Sequence, residues 1–432
     1  MSPGMRRLAV LSFHTSPLAQ PGTGDGGGMN VYVRELSASL ARAGVFCDVY
    51  TRRDSPELPA TVFVEPGFEV HHIEAGPPAP LAKERLFEHV GEFTERVIEH
   101  MTGLVPRPLS PAADHFGDLD EPPGAIHANY WLSGVAGHEI KHRLGLPLVS
   151  TFHTLDRVKA EASPEEDGDV ASGRRARLEA EIIGCSDALC ASCSVEADQL
   201  VELYDANPGR IHIVPLGVDH AFFSPGDRLF AKGALGLDGP GPLLLYVGRI
   251  QPLKGADVAV RSLAELHRAG RRDARLVVIG GPSGPRGEEE VASLHRLVDS
   301  EGLGGHVSFR PPQPHELLST FYRAADCCVV PSRSESFGLV ALEAAACGTP
   351  VVATAVGGLT TLVEDGVTGC LVEPGDAAGI ARHVAEIVGD EELKARLGRG
   401  AVAMAARYTW ATAASSLSRL YAELTCKELV EC

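Results

Sequence analysis

The chain has no surplus of positive charge. Its 432 residues carry 39 Lys and Arg against 57 Asp and Glu, a formal net charge of -18. That excludes a general nucleic-acid binder or a protein of anionic membrane surfaces, because both need basic faces. Long apolar runs are absent too: no uncharged stretch reaches the roughly 20 residues of a membrane-spanning helix. The N-terminus MSPGMRRLAVLSFHTSP has two arginines and a short apolar run over 8–13, without the h-region and cleavage site of a secretory signal. A cytoplasmic protein with no nucleic-acid partner and no integral membrane segment is expected. A disulfide framework is also missing. Cys47, Cys185, Cys327, Cys328, Cys347 and Cys370 lie in or beside apolar segments, where reduced cysteine behaves as a small hydrophobe. Cys190 and Cys193 form a single CxxC, and with no second pair or flanking histidine cluster it reads as a strand-end accident, not zinc.

The chain is 44% hydrophobic and long enough for two domains of ordinary size. An apolar strand over 8–13 runs into HTSPLAQPGTGDGGG, then an amphipathic helix over 29–43 that Gly44 stops, then a strand over 46–50. This order of strand, glycine-rich loop, helix and strand opens a doubly wound parallel sheet. The loop is not the dinucleotide GxGxxG, yet three glycines directly before a helix let backbone amides close on an anion. Helices are predicted over 82–104, 133–142, 174–184 and 195–204, and strands over 126–128, 147–150, 188–191 and 211–214. The Pro- and Gly-rich stretch 106–124 reads as a surface loop and 214–227 as a domain linker.

After the linker the rhythm restarts, with strands over 243–247, 275–279, 307–310 and 327–331. The expected fold is α/β: two Rossmann-like, doubly wound domains facing across a cleft. Residues 1–215 form the first domain and 216–409 the second, and a helix over 410–425 is placed to pack back on the first. Ligands then sit at the carboxyl ends of the strands.

The stretch PSRSESFGLVALEAAACGTPVVAT, 331–354, is the organising one. Glu335 stands in a loop that enters a helix and Glu343 stands inside that helix, so one acid, free backbone N–H groups and a positive dipole end share a small space. A cap and a surface charge would serve as well for an isolated pair of glutamates. Arg249 and Lys254, just past a strand end with Gly248 and Gly255 beside them, have the chemistry to clamp a diphosphate.

These segments carry a resemblance. Glu335 to Glu343 matches the E-x7-E signature of retaining glycosyltransferase family 4, a GT-B family. VGRIQPLKG, IGGPSGP, FYRAAD, PSRSESFGLVALEA, GTPVVAT and DGVTGCLV are similar to its donor domain nearly end to end. HTSPLAQPGTGDGGGMNVYV, LAKE, YWLSG and FHTL resemble the acceptor domain of a subfamily that acts on an inositol phosphate. The resemblance implies transfer of N-acetylglucosamine from UDP-GlcNAc to 1D-myo-inositol 3-phosphate with retention.

It also implies roles. Arg249 and Lys254 neutralise the UDP diphosphate with the amide of Gly28. Glu343 takes the ribose hydroxyls, and Glu335, with the amides of Ser336, Phe337 and Gly338, takes a sugar hydroxyl. Gln313 meets the uracil through its main chain, and Gln20 and Pro21 line the donor side of the N-terminal loop. On the acceptor side fall His14, the segment Asp25, Gly26, Gly27, Gly28, Met29 and Asn30, and a phosphate cage of Lys83, Tyr130, Thr154 and Arg175. His153 is placed at the transferred sugar, so Arg249, Lys254, His153 and Glu335 form the implied catalytic set. The same resemblance suggests a structural magnesium on main-chain oxygens near Tyr322, Arg323, Ala325 and Thr349, and it allows a homodimer. No Asp-x-Asp stands among the donor residues, so no cofactor is expected for catalysis.

Two departures bear on the acceptor. Ala128 and Asn129 replace the more usual Ser-His before Tyr130, and the acidic segment 161–169 matches nothing in the family. Three alternatives stay open: a family 4 transferase using another sugar phosphate, as in sucrose-phosphate synthase; one using an aminocyclitol; or an inactive nucleotide-sugar binding protein.

Overall fold

The computed structural model describes residues 5–22, 24, 26–104, 122–162, 170–284 and 286–432. The chain divides into two compact units. The first comprises Met1–Ala19, Met29–Pro215 and Trp410–Cys432, the second Gln20–Gly28 and Leu216–Thr409.

The first unit is built on β1 (Arg7–Leu11), β2 (Phe46–Arg52), β3 (Thr61–Glu65), β4 (Phe68–Ile73), β5 (Ala125–Asn129), β6 (Leu148–Thr151), β7 (Ala188–Ala191) and β8 (Ile211–Ile213). They form one sheet in the order β3-β4-β2-β1-β5-β6-β7-β8. Every pairing is parallel except β3 with β4. The central strands are buried along their whole length, as a sheet covered by helices on both faces requires. Strand order reverses between β1 and β5, so the loops leaving those two strands flank the switch point.

Near the start of β1 and β2, Asp48 accepts from Arg7 Nε at 2.6 Å and Nη2 at 3.0 Å, and lies 2.9 Å from Nε2 of His71 in β4. Burial alone would raise its pKa, but these partners hold it below the usual carboxylate range.

Three local expectations are corrected here. β3 and β4 went unread in the sequence because they form a hairpin outside the strand-helix rhythm, and β3 is a half-exposed edge. The helix expected over 82–104 is broken into Lys83–Leu86, a 3-10 turn Phe87–His89 and Val90–Met101. Cys185 is not the reduced hydrophobe expected: it is paired with Cys432 in a disulfide, with the Cα atoms 5.4 Å apart. Of the expected surface loop 106–124, residues 106–121 lie outside the described residues.

The helix Trp410–Leu424 belongs to the first unit, where Tyr421 Oη lies 2.6 Å from His127 Nδ1 and His127 Nε2 lies 2.8 Å from Thr151 Oγ1. All three groups are buried. Tyr421→Phe leaves His127 short of a partner and is expected to cost about 1–3 kcal/mol, read from the urea-unfolding midpoint.

The second unit holds β9 (Leu243–Val247), β10 (Arg275–Ile279), β11 (Val307–Arg310), β12 (Cys327–Val330), β13 (Val351–Thr354) and β14 (Gly369–Val372). Their order is β11-β10-β9-β12-β13-β14 and every pairing is parallel. This is the Rossmann order, with its switch point between β9 and β12. Among the described residues no helix is long and apolar enough to cross a membrane.

Candidate active site

In the second unit the residues after β9 and β12 meet at the switch point. Past β9 the chain turns through Gly248, Arg249 and the 3-10 turn Pro252–Lys254 before the helix Ala256–Arg268. Gly255 caps that helix at φ 68°, and a β-carbon there would lie 2.1 Å from the Pro331 carbonyl oxygen, so this turn requires glycine. Past β12, loop 331–338 enters the helix Leu339–Ala346 through Gly338.

The two loops join directly: Lys254 Nζ donates to Glu335 Oε2 at 2.6 Å. Side-chain exposure of 24% and 18% leaves both groups partly open to solvent. Arg249 Nη1 lies 3.4 Å from Ser283 Oγ. Two cations and one carboxylate at a strand-end switch point suit a charged phosphate ester with hydroxyls beside it.

Glu343 lies one helix turn deeper. It is buried, accepts from Tyr322 Oη at 2.8 Å, and burial raises its pKa. The surface-charge alternative for Glu343 is therefore corrected. The segment Gln20–Gly28 groups with this unit: Gln20 Nε2 donates to the Gln313 carbonyl at 3.0 Å, Gly22 N donates to the Gly26 carbonyl at 3.0 Å, and Gly27 lies beside the Arg249 guanidinium. Gln20, Pro21, Gly28, Arg249, Gln313 and the loop 335–338 thus fall in one unit. Asp25 lies outside the described residues.

In the first unit the loops after β1 and β5 bring His14 and Tyr130 together, ring centroids 4.3 Å apart. The Arg175 guanidinium, from the helix Val170–Cys185, stands 4.9 Å from the Tyr130 ring centroid. It donates to the Thr154 carbonyl at 2.7 Å and to Glu179 at 2.8 Å. Burial would lower the Arg175 pKa, but Tyr130, Glu179 and Asp156 hold it above its ordinary value. Three of the four expected cage residues therefore converge. Lys83 opens the helix Lys83–Leu86, and its side chain lies outside the described residues.

Met29 and Asn30 sit in the first turn of the helix Gly28–Arg42, where Asn30 Nδ2 donates to Thr15 Oγ1 at 2.7 Å and to the Ser16 carbonyl at 2.6 Å. Its side-chain amide thus shapes the loop that presents His14.

Tyr130 and His153 both adopt left-handed backbone, φ 76° and 61°. Side chains other than glycine's hold that conformation only where the surroundings enforce it, and such residues gather at functional sites. His153 Nε2 lies 2.9 Å from Asn129 Oδ1, so the Asn129 that departs from the family pattern positions the histidine.

Burial and then the neighbouring His127 draw the His153 pKa down to about 3, and burial does the same to His127. Both are neutral at neutral pH. Below an ordinary pKa of 6.5 the unfolded chain takes up protons that the folded chain refuses, so stability falls as pH drops from 6.5 towards 3. The urea midpoint is expected to fall across that window, and less steeply in His153→Gln.

Residues 227–404 match the family described as Glycosyl transferases group 1, and residues 27–217 match the Glycosyl transferase 4-like domain. The chain belongs to the group 1 glycosyltransferases. It is 45% identical over 420 residues to the D-inositol 3-phosphate glycosyltransferase of Acidothermus cellulolyticus, covering 96% of this chain and 90% of that one. It is 44% identical to the protein of the same name from Frankia alni, covering 94% and 97%. Among solved structures, sucrose-phosphate synthase from Thermosynechococcus elongatus matches with a TM-score of 0.86 and 31% identity, covering 97% of this chain and 99% of that one.

As a group 1 glycosyltransferase the chain is a hexosyltransferase with the two Rossmann-like sheets of a GT-B fold. Sequence reasoning missed Gly357 and Gly358, which follow β13. Gly358 N donates to the Glu335 carbonyl at 3.0 Å, and a β-carbon at Gly357 would lie 1.9 Å from that oxygen. The pair lets two loops close on each other and fixes Glu335. A Gly-Gly just past Ala355 and Val356, at the end of a buried strand, was the available signal.

At the suggested magnesium position, Thr349 Oγ1 donates to the Tyr322 carbonyl at 2.6 Å and Ala325 N approaches the same oxygen at 3.2 Å. Arg323 turns its guanidinium to the Ser224 carbonyl at 2.7 Å. A carbonyl oxygen has two lone pairs, and those of Tyr322 are committed to protein donors. A cation at the Tyr322 carbonyl would share that oxygen with these donors, and no reaction step is routed through one.

Proposed function

We propose that the protein transfers N-acetylglucosamine from UDP-GlcNAc to 1D-myo-inositol 3-phosphate with retention at the anomeric carbon, the first step of mycothiol biosynthesis, in the cytoplasm. The observation that carries the acceptor reading is the cluster of Tyr130, Thr154 and Arg175 at the first unit's switch point. It stands beside 45% identity to a relative named for inositol 3-phosphate. The donor reading rests on Arg249, Lys254 and Glu335 at the second unit's switch point.

In this account Lys254 and Arg249 take the diphosphate, Glu335 takes a sugar hydroxyl, and Glu343 takes the ribose. Neutral His153 serves the transferred sugar as a hydrogen-bonding group. No carboxylate is assigned as nucleophile. The acceptor hydroxyl attacks on the face the diphosphate leaves and passes its proton to a diphosphate oxygen, while Arg249 and Lys254 stabilise the charge that develops there.

A second reading, transfer to another sugar phosphate, is favoured by the 31% identity to sucrose-phosphate synthase. Nucleotide release from UDP-GlcNAc, UDP-glucose and ADP-glucose, each with inositol 3-phosphate, fructose 6-phosphate or aminocyclitols, separates the two. Release with fructose 6-phosphate but not with inositol 3-phosphate overturns the first. Lys83→Ala is expected to raise the acceptor KM by at least about tenfold, the loss of one charge-assisted hydrogen bond, and to leave the donor KM unchanged. Equal rises in both would remove Lys83 from the cage.

A further inference from the structure

The geometry points to a second site, separate from the transferase residues: we propose that His138, His142, Cys185 and Cys432 form a tetrahedral His2Cys2 site for a zinc-class divalent cation.

His138 and His142 stand one turn apart on the helix Trp131–Leu144, a spacing that turns both imidazoles to one face. Their ring centroids are 4.9 Å apart. Cys185 ends the helix Val170–Cys185, and Cys432 is brought up by the segment after Trp410–Leu424. One potential ligand atom from each residue lies within 4.8 Å of all the others.

The nitrogen-to-sulfur separations are those of a coordination shell. His142 Nε2 lies 3.4 Å from Cys185 Sγ and 3.2 Å from Cys432 Sγ, and His138 Nε2 lies 3.8 Å from Cys432 Sγ. A tetrahedral zinc with Zn–S of about 2.3 Å and Zn–N of about 2.0 Å has N···S edges of about 3.6 Å. Two thiolates and two neutral imidazoles also cancel the charge of a divalent ion. The structure joins the two sulfurs in a disulfide, so the metal site is proposed for the reduced chain, in which the two thiolates separate to ligate the ion. A disulfide accounts for the cysteines alone, whereas a metal shell accounts for both histidines converging on the same sulfurs.

The surroundings fix the ligands in place. Lys141 Nζ donates to the Cys185 carbonyl at 2.7 Å and lies 2.9 Å from Asp187, whose carboxylate accepts from Val430 N at 2.7 Å. The same three segments are thus already tied together beside the site. The two helices it staples are those that begin beside Tyr130 and carry Arg175, held here at their opposite ends. The CxxC of Cys190 and Cys193 takes no part, both being individually buried.

The test uses the full chain, reduced, stripped with a chelator and titrated anaerobically with Co2+. Expected are one equivalent bound, with the d–d bands of a tetrahedral site and a thiolate-to-cobalt charge-transfer band, both bleached by one equivalent of Zn2+. His142→Ala and Cys432→Ser, each outside the transferase residues, are expected to weaken Co2+ binding by at least about 100-fold and to lose the rise in Tm that Zn2+ gives the parent chain. No charge-transfer band in the reduced chain, or an unchanged spectrum in Cys432→Ser, overturns the site. If the isolated protein carries a Cys185–Cys432 disulfide and its reduced form takes no Co2+, the contact is a disulfide and the proposal fails.

Discussion

Lys254→Ala is expected to lower kcat by about 10²- to 10³-fold, the cost of removing one preorganised group at the position where negative charge develops. Lys254 extends from the 3-10 turn after β9 and meets Glu335 at 2.6 Å. In the proposed mechanism the donor's diphosphate competes for this cation, and Glu335 is then released to a sugar hydroxyl. Charge on the leaving oxygens grows as the glycosidic bond breaks, so Lys254 interacts more strongly with the transition state than with the bound donor, and the loss falls mainly on kcat. The two residues act as a pair, so Lys254→Ala with Glu335→Ala is expected to cost clearly less than the sum of the single changes. Steady-state kinetics of the three variants checks this; a loss carried wholly by the donor KM would reduce Lys254 to a binding residue.

Arg175→Gln is expected to raise the acceptor KM by roughly 10- to 100-fold, as for the loss of a charge-assisted hydrogen bond of about 1.5–3 kcal/mol, and to leave the donor KM unchanged. The same change removes the counter-charge of Glu179, which is buried, still accepts from Tyr204 Oη and Asp156 N, and whose pKa burial already raises. Removing one partner of a buried pair costs about 3–5 kcal/mol. A carboxyl whose folded pKa stands above its unfolded value costs stability as pH rises through that range, so Arg175→Gln loses stability towards neutral pH. Adding Glu179→Gln is expected to restore the unfolding midpoint and not the KM. Restoration of both would mean that Arg175 serves only to hold the helix.

The parts of this molecule legible in the sequence are those that repeat a local rule. Val247 and Val330 each end a buried apolar run that a glycine-bearing loop follows, and that pattern marks the switch-point loops in the sequence. Arg249, Lys254 and Glu335 were legible because each stands a few residues past such a strand. The hairpin of β3 and β4 was not: β3 is a half-exposed edge, and β4, though buried, carries Glu69, His71 and His72 where an apolar run would announce a strand. Nor was the pairing of Lys254 with Glu335, 81 positions apart, because a sheet brings sequence-distant loops together only through strand order. The depth of Glu343 was hidden for a different reason: an acid in an Ala-rich helix reads as exposed until Tyr322 is seen opposite it. His138, His142, Cys185 and Cys432 meet across a separation of 294 residues, beyond any reading of ligand spacing.

The central claim is that N-acetylglucosamine passes from UDP-GlcNAc to inositol 3-phosphate with retention. The direct measurement is to incubate the protein with these two compounds, isolate the product and read its glycosidic linkage by NMR. The account predicts one N-acetylglucosamine joined to the inositol phosphate in the α configuration of the donor. A β linkage, or no product here alongside turnover with fructose 6-phosphate, would contradict it.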